Sequence, residues 1–410
     1  MDAQQFKEFG YAAIDFIADY IENNRKRDVL PSVEQGYLQP LIPDHAPQHG
    51  EPWQELMKDM DRVIMPGITH WHSPNFHAYY PTGHSYPSVV AETITSGLSV
   101  IGFNWIASPA CTELEVAVMN WLGKMLNLPD VFLNCSRGPG GGVIQATASE
   151  ATLIGLLAAK EKFVKEYKSI RPEMMECEVK AKLVAYSSDQ SNSSIEKAGL
   201  IGSMTMRLLP SDSDGKLQAE VLRAAILKDI EKGLIPCYVI ATLGTTPTCA
   251  FDDLESLGLV CKEFNVWMHV DAAYAGSAFI CPEYQHHLKG VELAESFNFN
   301  PHKWMMVTFD CSALWVKDAK YLVQAFNVQR IYLKHKHQGD APDYIHWQLA
   351  LGRKFRALKL WFVLRTYGVE GLQKHVRNHI QLAKYFSELL ATDKRFNVFS
   401  CSMGLVCFHF

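Results

Sequence analysis

Apolar residues near the start of the chain recur at helical spacing (Phe6, Phe9, Ala13, Ile14, Ile17, Ile21). The spacing predicts an amphipathic helix over residues 4–24, which needs a surface to pack on. Between Pro31 and Pro52 come Pro31, Pro40, Pro43, Pro47 and Pro52. Proline breaks helices and favours extended backbone, so this stretch is expected to wrap over a surface. From about residue 85 onward helical stretches alternate with short apolar runs: LVAY (183–186), CYVIAT (237–242), VWMHV (266–270) and SALWV (312–316). Strands separated by helices predict an α/β fold, with a mainly parallel sheet covered by helices. Ligands in such sheets bind at the carboxyl ends of the strands. The last strand-like run, GLVCFHF, stops at Phe410 with nothing in view to pair against. The expected division is a helical dimerisation arm over 1–84, a large domain over 85–380, and the truncated start of a small C-terminal domain over 381–410. No internal repeat or low-complexity tract interrupts this plan.

Composition narrows the picture. A chain of 410 residues with 48% hydrophobic and 20% charged residues is ordinary globular material with room for two or three domains. Its net charge of −5 gives no reason to expect a nucleic-acid partner. No apolar run approaches the roughly 18 residues that would suggest a membrane span. The opening MDAQQFKEFG carries acidic residues where a secretory leader needs a basic region, so a cytoplasmic protein is expected. Ten scattered Cys, without a CxxC pair or His at metal spacing, read as free thiols in a reducing compartment, with no metal centre.

Three stretches carry candidate chemistry. VWMHVDAAYAG (266–276) is a buried strand that ends in Asp271, followed by small residues. SFNFNPHKWMM (296–306) places Lys303 after another apolar segment, with His302 beside it. Taken singly, Asp271 reads as a helix cap and Lys303 as a solvated amine. Together they suit a lysine that forms a Schiff base and a carboxylate that pairs with a pyridinium nitrogen. The third stretch, GPGGGVIQATASEA (138–151), reads as a Gly-rich turn running into a helix, with Thr147 and Glu150 spaced as a capping box. Amides of that first turn, around Ala148 and Ser149, would offer an anion site. Thr245 and Thr246 add hydroxyls just past a strand, fit either for a ligand or for bonding their own turn.

With these motifs on one chain, the sequence resembles the group II pyridoxal-phosphate decarboxylases, in the aromatic L-amino-acid decarboxylase branch. Matching stretches run through the whole length: THWHSPNFHAYYPTG (69–83), IGFNWIASPACTELE (101–115), the Gly-rich segment, HVDAAYAG, NFNPHK and IYLKHKHQ (331–338). The resemblance implies a type I aminotransferase-like fold and an intertwined homodimer with active sites at the subunit interface. It makes Lys303 the Schiff-base lysine and Asp271 the partner of the ring nitrogen, and it gives the phosphate to Ala148 and Ser149. Thr246, Asn300 and His302 match further cofactor contacts. Trp71, Tyr79, Tyr80, Pro81, Thr82, Ile101 and Phe103 match the pocket for an aromatic substrate ring. Tyr332, in the polar stretch NVQRIYLKHKHQGDAP, matches a loop tyrosine that supplies the proton completing amine formation.

One position departs from that pattern. Family decarboxylases carry a His within YSSDQSNSSIEKAG (186–199), stacked on the cofactor ring and touching the substrate carboxylate, where this chain has Asn192. Imidazole shares protons near neutral pH, whereas an amide offers only fixed hydrogen bonds. Delayed protonation after CO2 loss leaves time for reaction with O2, which ends in an aldehyde, ammonia and hydrogen peroxide. In this, the chain is similar to the insect dihydroxyphenylacetaldehyde synthases, which convert L-dopa to the catechol acetaldehyde used in cuticle cross-linking. Two other readings remain at this point: an ordinary amine-forming decarboxylase that tolerates Asn192, and a silent paralogue kept as a scaffold.

Overall fold

Asp2 and Gln5 cap the first helix reciprocally: Gln5 N donates to Asp2 Oδ1 at 2.8 Å and Asp2 N to Gln5 Oε1 at 3.0 Å. The helix that follows, α1, runs Ala3–Asn23 and buries none of its residues. The structure is a computed structural model that describes residues 1–80, 82–328 and 341–410. It divides into two units, Met1–Thr82 and Gly83–Phe410. The first unit adds a short helix, α2 (Trp53–Asp59), and Phe9 of α1 stacks on Trp53 with ring centroids 5.2 Å apart. Its proline-rich segment carries only a single helical turn, at Gln39–Leu41.

The second unit opens with α3 (Tyr86–Leu98) and α4 (Pro109–Met125) and then enters the sheet through β1 (Gly141–Gln145). There follow α5 (Ala148–Ile170), α6 (Glu176–Lys182), β2 (Leu183–Ser188), α7 (Ser194–Gly202) and β3 (Thr205–Leu209). Next come α8 (Ala219–Glu231), β4 (Ile235–Thr242), α9 (Leu254–Glu263), β5 (Trp267–Asp271) and β6 (Ser296–Phe299). The one-turn α10 (Pro301–Trp304), β7 (Ser312–Val316) and α11 (Lys320–Phe326) lead to α12 (Arg356–Ala391), which bends at Gly368 and runs across residue 381.

Seven strands form one sheet in the order β1-β7-β6-β5-β4-β2-β3. The pairs from β6 through β3 are parallel, and β7 runs against both of its neighbours. β2, β4, β5 and β7 are buried along their whole length, which is why they read as continuous apolar runs. β1 was hidden inside the expected Gly-rich turn, and that reading is corrected: GGVIQ is a strand, and it separates the turn from the helix. Its glycines answer to packing, because a Cβ on Gly142 would press on Trp315 and Met119. The final run GLVCFHF is corrected too, since it contains β9 (Leu405–His409), paired antiparallel with β8 (Asn397–Ser402). No helix among the described residues is long and apolar enough to cross a membrane.

Candidate active site

β1 runs antiparallel to β7, as β6 does, so β1 shares its direction with β4, β5 and β6. Their carboxyl ends therefore lie along one edge, and α5 starts there directly after β1. Thr147 caps α5 by accepting from Glu150 N at 3.2 Å, while Glu150 Oε2 accepts from Ala146 N at 2.9 Å. The box closes one residue earlier than the sequence pattern placed it. Ala148 and Ser149 are then the first two residues of the helix, whose amides have no partner inside it and sit at the positive end of its dipole.

At the same edge Asp271 ends β5, in register with Thr242 of β4 on one side and Asn298 of β6 on the other. Burial pushes its carboxyl up, while the Lys303 charge and the Ala273 amide, 3.0 Å from Oδ1, pull it back down. Burial pushes the Lys303 amine in the opposite direction, down, against the Asp271 charge. A buried amine with a lowered pKa is a better nucleophile at neutral pH, and the buried carboxylate nearby is suited to a cationic ring nitrogen.

His302 precedes Lys303 on α10 and is also buried. Its Nδ1 accepts from Cys311 N at 2.8 Å, so in the neutral ring the proton sits on Nε2. Burial, aided by the Lys303 charge, holds this imidazole down at about 4. Asn300 is the N-cap residue of α10 and accepts from Lys303 N through its carbonyl at 3.0 Å, but its side chain makes no capping bond and its buried Oδ1 has no hydrogen-bond partner. An orphaned buried amide oxygen beside Lys303 fits a site that a further group completes.

The two threonines past β4 separate in role. Thr245 is fully buried and spends its hydroxyl on its own turn, accepting from Ala250 N at 2.9 Å. Thr246 is exposed and accepts from Asn192 Nδ2 at 3.0 Å. Asn192 in turn accepts from Ser194 N at 3.0 Å, so its amide is fixed from both ends. Beneath it, Ser191 Oγ lies 2.6 Å from Ser187 Oγ and 3.2 Å from Thr242 Oγ1.

Of the expected substrate-ring residues, Trp71, Tyr79, Tyr80 and Thr82 belong to the first unit. There Trp71 stacks on Tyr79 at 5.3 Å and on Phe76 at 5.2 Å, and Thr82 Oγ1 lies 3.3 Å from His72 Nε2. Ile101 and Phe103 belong to the second unit, where Ile101 is exposed and Phe103 accepts from Ile345 N through its carbonyl at 2.9 Å. Pro81 and Tyr332 lie outside the described residues. Among the described residues no group of three or more His, Cys, Asp or Glu is placed to hold a metal.

A chain of bonds behind the site escaped the sequence reading. Trp267 Nε1 donates to Ser296 Oγ at 2.8 Å, Ser296 Oγ lies 2.8 Å from His269 Nδ1, and His269 Nε2 lies 3.0 Å from Asn298 Oδ1. The available signal was the period of two in WMHVD, which puts Trp267, His269 and Asp271 on one face of β5.

Comparison with known proteins completes the description. The pyridoxal-dependent decarboxylase conserved domain matches residues 35–410. An aromatic-L-amino-acid decarboxylase of Drosophila melanogaster is 59% identical over 409 residues, spanning 100% of this chain and 80% of that protein. A 3,4-dihydroxyphenylacetaldehyde synthase of the same species is 58% identical over 411 residues, spanning 100% and 81%. Among solved structures, an Oryza sativa TDC with PLP and tryptamine superposes with a TM-score of 0.95 at 40% identity, covering 100% of this chain and 84% of that one.

Proposed function

The chain belongs to the pyridoxal-dependent decarboxylase family, and on that premise we propose that it converts L-dopa, O2 and water to 3,4-dihydroxyphenylacetaldehyde, CO2, ammonia and hydrogen peroxide. Decarboxylation with pyridoxal phosphate comes with the family; the oxidative outcome is what the reading adds. O2 is the oxidant, and its two-electron reduction to peroxide balances oxidation of the amine-bearing carbon to an aldehyde. When bound, pyridoxal phosphate supplies the electron sink that lets the α-carbon part from its carboxylate.

The chain's own residues divide the remaining work. Lys303 would hold the cofactor covalently, and Asp271 would keep a proton on its ring nitrogen by charge. The first amides of α5, at Ala148 and Ser149, meet the phosphate, and Thr246, Asn300 and the Nε2–H of His302 supply further polar contacts. By the family resemblance Trp71, Tyr79, Tyr80, Thr82, Ile101 and Phe103 would serve the substrate ring, as would Pro81, and Tyr332 would be the proton source for any amine formed. Two copies are proposed to assemble as a homodimer.

Asn192 is the observation that carries the oxidative reading. Its amide is clamped between Thr246 and Ser194 and has no ionisation near neutral pH, so it holds its position but passes on no proton. An amide there would give amine formation no proton to draw on, which would favour the oxidative product. The second reading, an ordinary amine-forming decarboxylase, is favoured by overall similarity as much as the first, at 59% against 58%. Asn192→His tests the choice. With L-dopa in air, the variant should release a several-fold larger share of amine and take up less O2 per CO2 than the parent. An unchanged product ratio would remove Asn192 as the determinant.

A further inference from the structure

Lys303 rides on a single helical turn, and one turn fixes several dihedrals for one hydrogen bond, so α10 does not hold its own place. The backbone around it is held from outside. Gly83 N donates to the His302 carbonyl, Ser85 Oγ donates to Met306 O at 2.7 Å, and Ser88 Oγ accepts from Thr308 N at 2.9 Å. Ser88 Oγ also lies 2.8 Å from Thr308 Oγ1.

The contacts of Ser85 and Gly83 have a local cost that marks them as more than incidental. Ser85 is the N-cap residue of α3, yet its side chain makes no capping bond and serves Met306 instead. Met306 holds φ at 60°, a left-handed conformation that an L side chain keeps only when its surroundings over-determine it. At Gly83 a Cβ would run into the backbone of Val307, so this close approach requires glycine.

We propose that residues 83–88 form a strap that positions Lys303 to capture the cofactor aldehyde, with Ser85 and Ser88 as positioning residues. In that capture Lys303 Nζ forms a C=N bond to the aldehyde carbon, the C=O bond breaks and water leaves, with no change of oxidation state. The inference rests on Lys303 being the cofactor lysine. The anion site on α5 is a separate element, so loosening the strap slows capture without abolishing cofactor binding.

Ser85 gives a clean test, because Asp can cap α3 but cannot donate to the Met306 carbonyl, whereas Thr keeps the donor. Full-length protein freed of cofactor is mixed with pyridoxal phosphate and quenched with borohydride at timed intervals. The share fixed on Lys303 is read by peptide mass, total binding by equilibrium dialysis, and folding by Tm. Ser85→Ala and Ser85→Asp should capture about three- to tenfold more slowly than wild type at similar total binding, the loss expected for one hydrogen bond. Ser85→Thr should stay within about twofold of wild type on the same scale. If Ser85→Ala does not fold, the Asp and Thr variants decide. Capture at the wild-type rate in Ser85→Asp, or equal slowing in Asp and Thr, overturns the strap. Failure of wild-type protein to fix any cofactor on Lys303 would instead overturn the lysine assignment, and the strap with it.

Discussion

Burial and charge act in opposite directions at Asp271, and the balance between them gives the residue its use. Burial at the end of β5 pushes its carboxyl pKa up; Lys303 and the Ala273 amide push it back down, and a cationic ring nitrogen would push it further down. A charge pair at about 4 Å with an effective dielectric near 20 is worth about 4 kcal/mol. Felt fully in the transition state, that is roughly three decades in rate, the loss expected for Asp271→Ala in a CO2-release assay. Lys303→Ala should abolish turnover and the borohydride-fixed cofactor together; appreciable turnover would contradict its role. The placement of both residues was legible in the sequence, because a strand end followed by small residues and a lysine after the next apolar segment are local patterns. Thr245 and Thr246 were not separable there, since which hydroxyl the turn consumes depends on Ala250 and Asn192, five and 54 positions away.

On the facing strands β5 and β6, the bonds from Trp267 to Asn298 have a fixed direction. Trp267 can only donate, so Ser296 accepts from it and donates its own O–H to His269 Nδ1, which leaves Nε2–H to donate to Asn298 Oδ1. His269 is thereby held neutral, and burial keeps it down at about 4, below the ordinary imidazole value near 6.5. A base lowered in the fold contributes stability above its unfolded pKa and loses it as pH falls through the window from 6.5 to 4. The unfolding free energy of wild type minus that of His269→Gln should therefore decline by up to about 3 kcal/mol over that window, read by urea titration at several pH values. A flat difference would mean that His269 is not the neutral node of this chain. At this scale the sequence was informative in proportion to burial. β4, β5 and β7 were found within two residues, whereas β3, an edge strand with mixed exposure, and β8, whose residues alternate exposed and half-buried, left no apolar run to find. β1 was missed because packing against Trp315 and Met119 demands glycine, the residue that ordinarily marks a turn.

Across the whole molecule the apolar surface left uncovered is organised. On α3, Tyr86, Val90, Ile94 and Leu98 recur every four residues and are 40–56% exposed, and Phe6, Tyr11 and Ile14 of α1 are more exposed still. A stripe of this kind is rarely left to water, and a second copy of the chain is the proposed cover. Ile94→Asp together with Leu98→Asp should then give a monomer on light scattering, while an unchanged mass would show that this face is not the interface. Repeated apolar spacing made α1 legible in the sequence, but its partner surface was not, because a second copy adds no pattern to a single chain. The central claim is the reaction itself, and stoichiometry tests it most directly. Purified wild-type protein is given L-dopa in air, and CO2, O2, amine, aldehyde and peroxide are followed together. The account predicts that O2 uptake, aldehyde and peroxide rise in step with CO2, with little amine; dopamine formed in step with CO2 without O2 uptake would contradict it.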